Sequence, residues 1–207
     1  MRENDFPGVF IVVEGIDGAG TTTQTRKLAD YLDAYRTHEN CNQTSDYSYW
    51  NRVGEKVEEM ISDGGYSPEA VALGFASDRL IHLEEDVVPR LEEGRMVVSD
   101  RYYYSSLAYQ TTMGADFGWV KRINSRAVRP DLTIILDVSA DEGMERLDRR
   151  GEEKDIFENL DFQEEVSLRY RNLKDRLDDN IVYVDGSQSK GEVFEAVKQV
   201  VEEFLER

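Results

Sequence analysis

The sequence is poor in the residues that form disulfides, metal clusters and membrane spans. It has 207 residues and one cysteine, Cys41, so an intrachain disulfide is impossible and a cysteine-based metal cluster is not expected. The longest apolar run near its start, residues 9–13, ends at Glu14 and is far shorter than the roughly 20 residues of a membrane span. We therefore expect no signal peptide, no membrane partner and a reducing cytoplasmic compartment.

Lysine is also scarce, and the charge balance is strongly negative. Seven of the 25 basic residues are lysine, the acidic residues number 43, and the formal net charge is −18. A chain this acidic repels nucleic acid, which argues against nucleic acid as the main partner. Salt screens such self-repulsion, so two interpretations stay open, a protein adapted to high salt and an ordinary acidic cytoplasmic protein.

Apolar runs alternate with helical patterns along the chain. Buried parallel strands are predicted at residues 9–13, 96–99, 132–138 and 181–184, with a weaker strand signal within 37–50. Helices are predicted over residues 20–35, 67 to about 86, 158–177 and 191–207, and Pro89 is expected to bend or break the second of them. This alternation predicts one α/β domain over residues 1–207, a doubly wound parallel sheet of about five strands with helices on both faces.

A glycine-rich loop follows the first predicted strand. It consists of Gly15, Ile16, Asp17, Gly18, Ala19, Gly20, Thr21 and Thr22. The loop fits the phosphate-binding pattern G-x-x-x-x-G-K-[ST], except that Thr21 replaces the lysine. Such a loop points backbone N–H groups at phosphate oxygens, next to the partial positive charge of a helix N-terminus. We interpret these residues as an ATP-binding loop in which Thr22 binds Mg²⁺; the alternative is a strand-to-helix turn without a ligand.

Two further pairs of residues suit nucleotide binding. Asp100 and Arg101 follow the strand predicted at 96–99, at the carboxyl edge where ligands bind in open α/β sheets. A carboxylate there can hold Mg²⁺, and an arginine can hold a phosphate. Phe75 and Arg79 share a helix face, which suits a base and a phosphate. Each pair has a simpler alternative, an exposed ion pair or a core phenylalanine beside a solvated arginine.

A basic cluster stands out in the acidic chain. It is made of Arg146, Arg149, Arg150 and Lys154. The cluster suggests a lid, at about residues 146–158, that closes over phosphates. The alternative for this segment alone is a solvated helix end.

Together these segments resemble the thymidylate kinase family of P-loop enzymes. The strings VEGIDGAG and TTQ are similar to its phosphate loop, FASDRLIH to its substrate helix and DRYYYSSLAYQ to its Asp-Arg segment. RPDLTIILDV and VDGSQS resemble its fourth core strand and its adenine-side loop. The resemblance extends from Val9 to about Phe204. It implies ATP- and Mg²⁺-dependent conversion of dTMP to dTDP by a homodimer.

The resemblance implies contacts with the substrate dTMP. Asp17 would face the sugar, Phe75 would stack on thymine, and Tyr109 would pack against the deoxyribose. The remaining dTMP contacts would be those of Arg79 and Arg101 with the phosphate and of Ser106 and Gln110 with the base edge.

The resemblance also implies catalytic residues. Asp100 would organise Mg²⁺, and Arg101 would act on the transferred phosphate. Family members with a small residue at the place of Ala19 carry catalytic arginines in the lid, and Arg149 and Arg150 fit that type.

The chain departs from the family pattern in three places. Thr21 replaces the phosphate-loop lysine, residues 45–50 stand where a Glu-Pro-Gly segment is expected, and residues 155–158 read D-I-F-E in place of D-R-F-E. Two alternatives therefore stay open, a kinase for another nucleoside monophosphate or nucleoside, and a nucleotide-binding pseudokinase. Because the substrate residues stand where the family pattern has them, the sequence favours a working active site.

Overall fold

The centre of the molecule is a parallel five-stranded sheet. The computed structural model describes residues 1–40, 51–149 and 159–206. The strands are β1 (Phe10–Gly15), β2 (Tyr35–His38), β3 (Val97–Asp100), β4 (Leu132–Asp137) and β5 (Ile181–Asp185). Their order is β2-β3-β1-β4-β5, and every pairing is parallel. The predicted doubly wound α/β sheet is confirmed.

The helices of the described residues connect these strands. They are α1 (Thr21–Leu32), α2 (Arg52–Asp63), α3 (Pro68–His82), α4 (Val88–Glu92), α5 (Tyr103–Thr112), α6 (Phe117–Ile123), α7 (Ala140–Asp148), α8 (Leu160–Arg171), α9 (Leu173–Arg176) and α10 (Lys190–Leu205). In these parts of the chain, no helix is long and apolar enough to cross a membrane.

The first helix is shorter than its sequence pattern predicted. Asp33 ends α1 in the left-handed region, at φ 51°, and its N–H bonds to Ala29. Tyr35, assigned to this helix from its apolar spacing, instead starts β2 and donates its N–H to Met96 O at 2.9 Å. The polar sequence of this short strand explains why its signal was weak.

Helix α2 was not predicted at all, although Asn51 caps its first N–H groups.

Of the bend or break expected at Pro89, the break does not occur, since the chain stays helical through this residue. A π-helical turn, Leu83–Val87, joins α3 to α4, and the Val88 N–H bonds to Leu83 O. Pro89 is the second residue of α4, and the π-helical turn before it accommodates the missing N–H without ending the helix. By contrast, the helix predicted over 158–177 is divided at Asn172 into α8 and α9.

The carboxyl edge of the sheet carries the residues of interest. In the strand register, Asp100 lies beside Val13 of β1 on one side and His38 of β2 on the other. From β1 the chain builds β2 and β3 on one side of this strand and then crosses to β4 and β5 on the other side. This is the switch point at which open α/β sheets bind ligands.

Candidate functional site

The glycine-rich loop lies directly on the backbone of α7. Gly18 has φ 78°, and a Cβ on it would lie 2.2 Å from Gly143 O. A Cβ on Gly143 would in turn lie 2.6 Å from Asp17 O. Only glycine permits this mutual approach, which holds the loop against the helix. Thr21 is buried at the start of α1, whereas Thr22 is exposed.

Arg101 connects the end of β3 to the glycine-rich loop. Its guanidinium donates from Nη1 to Gly15 O at 2.9 Å and from Nη2 to Asp17 Oδ1 at 2.6 Å. Its backbone is left-handed, at φ 67°, and its N–H bonds to Val13 O at 2.9 Å. A bulky residue rarely adopts this conformation unless its surroundings impose it, and such residues cluster at functional sites.

Asp17 is held from a second side by a residue that the sequence did not identify. Gln163 of α8 donates from Nε2 to Asp17 Oδ2 at 2.8 Å. One carboxylate oxygen of Asp17 therefore binds Arg101 and the other binds Gln163. No local motif marks Gln163, because its position depends on how α8 packs over the loop.

Glu14 is a fully buried carboxylate behind the loop. Its Oε1 accepts the N–H groups of Tyr102 and Ser105 at 2.7 and 3.2 Å. Its Oε2 accepts the hydroxyls of Ser105 and Tyr170, both at 2.8 Å. Burial raises the pKa of Glu14 to about 7, although nearby Arg101 and these hydrogen bonds act to lower it. The sequence offered one overlooked signal, an acidic residue within a buried apolar strand.

Tyr109 forms an aromatic wall beside Arg101. Its hydroxyl lies 3.5 Å from Arg101 Nη1, and the Arg101 Cζ lies 5.4 Å from its ring centroid. Its ring centroid is 6.2 Å from that of Phe162 on α8. Burial raises the pKa of Tyr109 far above its usual range, so the hydroxyl stays neutral.

Arg79 is buried and makes a bidentate ion pair with Glu39. Its Nε and Nη2 donate to the Glu39 carboxylate at 3.0 and 2.6 Å. Nη2 also donates to Ser106 Oγ at 3.1 Å, and Nη1 donates to Asn124 Oδ1. The sequence assigned this arginine to a phosphate, whereas the structure places it against Ser106, a residue assigned to the base edge. Glu39 and Asn124 were missed, because neither belongs to a recognisable motif.

The other residues assigned to dTMP lie on α3 and α5. Phe75 of α3 is half-buried and packs against the hydrophobic core. Gln110 of α5 is 2 % exposed, and its Oε1 has no hydrogen-bond partner among the described residues. A buried amide oxygen in this state is costly, which marks it as a place for a ligand donor.

Two candidate metal ligands flank the phosphate loop. Asp100 is a buried carboxylate at the end of β3, and Thr22 offers an exposed hydroxyl in the first turn of α1. Such oxygen donors fit Mg²⁺, which keeps several waters and also binds substrate phosphates. Among the described residues no group of three His, Cys, Asp or Glu side chains could hold a metal, so phosphate and water would have to complete the ligand set.

A cavity of about 400 Å³ lies on the other side of the loop. Residues 18–20, the end of α7, Gly186 and residues 188–190 line it, among others. Arg146 bridges these parts, with Nη2 2.9 Å from Gly186 O and Nη1 3.4 Å from Gly18 O. Arg149 also lines the cavity; its side chain is 76 % exposed and pairs with Glu145 at 3.0 Å.

Some of the residues singled out in the sequence lie outside the described residues. They are Arg150, Lys154, residues 155–158 of the expected lid, and residues 45–50. The described part of the lid segment, from Arg146 to Arg149, belongs to the end of α7.

Comparison with known proteins identifies the family. The family model described as thymidylate kinase matches residues 13–197. The chain is 38% identical over 205 residues to a probable thymidylate kinase of Pyrococcus abyssi, covering 96% of this chain and 98% of that protein. It is 36% identical over 210 residues to the probable thymidylate kinase of Staphylothermus marinus, covering 99% of each. A probable thymidylate kinase of Thermococcus onnurineus is 40% identical over 178 residues, with 81% and 85% covered. The chain belongs to the thymidylate kinase family.

Proposed function

We propose that this protein transfers the γ-phosphoryl group of ATP to dTMP in the cytoplasm, as a Mg²⁺-dependent homodimer. The observation that carries the proposal is the contact of Arg101 with Gly15 O and Asp17, at 2.9 and 2.6 Å. It joins an arginine suited to the acceptor phosphate to the loop suited to the donor phosphates. Phosphoryl transfer depends chiefly on holding these two groups in line and stabilising their charge.

On the acceptor side, buried polar side chains suit the hydrogen-bonding edge of thymine. Gln110 Oε1, buried without a partner in the described part of the chain, suits the N3–H donor of thymine. Ser106 and Arg79 lie together and suit a base oxygen. We therefore assign Arg79 to the base side, because a phosphate there would have to displace Glu39. Phe75 would stack on the base, and Tyr109 would contact the deoxyribose.

On the donor side, the cavity beside Arg146 accommodates the base and ribose of ATP. Backbone N–H groups of residues 15–22 would hold its phosphates, with the N-terminus of α1 adding positive charge. Bound Mg²⁺ would neutralise charge on the phosphates, held by Thr22 and Asp100. An oxygen of the dTMP phosphate attacks the γ-phosphorus, the bond to the leaving ADP oxygen breaks, and no covalent enzyme intermediate forms.

The loop of this chain lacks the usual lysine. We assign the role of that positive charge to arginines of the lid segment. Arg149 lines the donor cavity beside residues 18–20. Its exposed pair with Glu145 is of a kind that contributes roughly 0–1 kcal/mol, so it can be exchanged for a phosphate contact. Arg150, the next residue, is the second arginine of this assignment.

A coupled assay of ADP release tests the proposed function. The acceptors are dTMP, dUMP, dCMP, dGMP and thymidine, each with ATP and Mg²⁺ at low and at molar KCl. We expect dTMP to give the highest kcat/KM. Preference for another acceptor would support the alternative kinase, and calorimetric binding of dTMP and ATP without turnover at either salt concentration would support a pseudokinase. Sedimentation velocity tests the homodimer.

A further inference from the structure

A continuous chain of hydrogen bonds runs from the guanidinium of Arg101 to the buried carboxyl group of Glu14. Arg101 Nη1 donates to Ser105 Oγ at 3.2 Å, and Ser105 Oγ donates to Glu14 Oε2 at 2.8 Å. Tyr170 donates to the same carboxylate oxygen. Since every one of these donors faces Glu14, the arrangement suits an ionised carboxylate.

The same carboxylate also fixes the backbone that carries Arg101. Glu14 Oε1 accepts the N–H of Tyr102, the residue after Arg101, and the N–H of Ser105 in the first turn of α5. The Arg101 N–H itself bonds to Val13 O. The left-handed backbone of Arg101 is therefore held on both sides by consecutive residues of β1, and such a conformation persists only where surrounding contacts impose it.

We propose that Glu14 is a positioning residue, which holds Arg101 in the one orientation that contacts both the phosphate loop and the acceptor phosphate. The inference rests on the proposed dTMP kinase activity. Glu14 is fully buried, so it touches no substrate and acts through Ser105 and the Tyr102 N–H. A buried charge is expensive, and this one lies beside Gly15, where the arginine meets the loop.

A double-mutant cycle tests this coupling. Glu14→Gln keeps the shape of the side chain and removes its charge. We expect it to lower kcat/KM for dTMP about 10- to 100-fold, with a larger rise in KM for dTMP than for ATP. In an Arg101→Ala background, the same change should cost no more than about twofold, because coupled residues do not act additively. Equal losses in the two backgrounds would overturn the proposal.

A matched control separates positioning from stability. Asp179 is also a buried carboxylate; it accepts the Tyr104 hydroxyl at 2.9 Å and pairs with Arg129 at 3.1 Å. It precedes β5, at the opposite edge of the sheet. Asp179→Asn should lower Tm and leave kcat/KM for dTMP unchanged.

Amide hydrogen exchange gives a readout that does not need turnover. In Glu14→Gln and Ser105→Ala, residues 15–20 and 101–105 should exchange about tenfold faster, because local opening costs less. Asp179→Asn should leave residues 15–20 as in the wild type, because Asp179 contacts the 101–105 segment through Tyr104 but not the loop. Unchanged exchange in Glu14→Gln overturns the inference whether or not dTMP turns over, whereas absent turnover with faster exchange counts only against the proposed activity.

Discussion

The guanidinium of Arg101 lies 2.6 Å from the carboxylate of Asp17. This contact joins two segments that are distant in sequence, the turn after β3 and the loop after β1. Both side chains are about a quarter exposed, so the pair is open to a ligand from one side. In the proposed function, this contact links the position of the acceptor phosphate to that of the loop that binds the donor phosphates.

Asp17→Asn should weaken this salt bridge between Arg101 and residue 17. The amide keeps the shape of the side chain but loses its charge opposite Arg101, and its single oxygen can accept from Arg101 or from Gln163 but not from both. We expect kcat/KM for dTMP to fall about tenfold, with a stability loss of roughly 1 kcal/mol or less because the pair is partly solvated. Steady-state kinetics and urea unfolding measure both. A control is Glu59→Gln, which removes an exposed partner of Lys56; an equal kinetic effect there would contradict this role of Asp17.

Glu39→Gln should be far more destabilising. The Arg79 and Glu39 side chains are 1 % and 4 % exposed, so the change leaves a buried guanidinium without its counter-charge. Breaking such a pair costs about 3–5 kcal/mol, measurable by urea unfolding, and KM for dTMP should rise.

A paired replacement isolates the binding role of Arg79. In Glu39→Leu/Arg79→Met both charges are gone, so much of the lost stability should return while dTMP binding stays weak. Calorimetry measures the latter. Normal dTMP affinity in this stable double variant would argue against a base-side role for Arg79.

Glu14 should make stability depend on pH in a direction unusual for a carboxylate. Its pKa is raised from the ordinary 4.5 to about 7 by burial. The folded protein therefore retains this proton between those values, while the unfolded chain releases it. The contribution to stability is full below pH 4.5, falls as pH rises toward 7 and is flat above, a total of about 3 kcal/mol.

Comparison with Glu14→Gln isolates that contribution. The free energy of unfolding of the variant minus that of the wild type should rise by about 3 kcal/mol between pH 4.5 and pH 8. Urea titrations at each pH measure this difference. The variant should therefore lose less stability than the wild type between pH 4.5 and pH 8, while being less active at pH 8. Parallel pH curves for the two proteins would contradict a raised pKa.

The sequence predicted the framework of the sheet better than the contacts within the site. Four strands were evident because buried parallel strands are continuously apolar. The short polar β2 was placed too far along the chain, within 37–50, and α2 was missed. Loop, Asp-Arg segment and substrate helix are local patterns and were recognised. Glu14, Glu39 and Gln163 were not, because each acts on a residue far away in sequence and only the packed fold brings the partners together.

Salt should stabilise this protein if its acidity is an adaptation. With a net charge of −18, self-repulsion falls as ionic strength shortens the Debye length from about 10 Å at 0.1 M to 3 Å at 1 M. We expect Tm to rise steadily between 0.1 and 2 M KCl. The rise should be smaller near pH 5, where part of the carboxylates are protonated. A Tm independent of KCl would favour an ordinary acidic protein.

The absent loop lysine leads to a test of Arg149. Arg149→Ala removes an exposed side chain, so Tm should hardly change, but a lost cation at a developing phosphate charge should lower kcat about 10²-fold. Calorimetric affinity for dTMP should be preserved, because Arg149 lines the donor cavity. Glu145→Gln is the matched control, since it frees Arg149 without removing its charge, and its kcat should equal or exceed that of the wild type.

Thr21→Lys tests whether a lysine at position 21 and the arginine at position 149 supply the same positive charge. In the Arg149→Ala background we expect the new lysine to restore kcat at least tenfold, whereas in the wild type it should add less than about threefold, because a second cation at an already neutralised phosphate gains little. Single-turnover kinetics at saturating ATP separates this effect from product release. An equal gain in both backgrounds would mean that Arg149 does not replace the lysine, and a large gain in the wild type alone would identify a loop that is impaired as it stands.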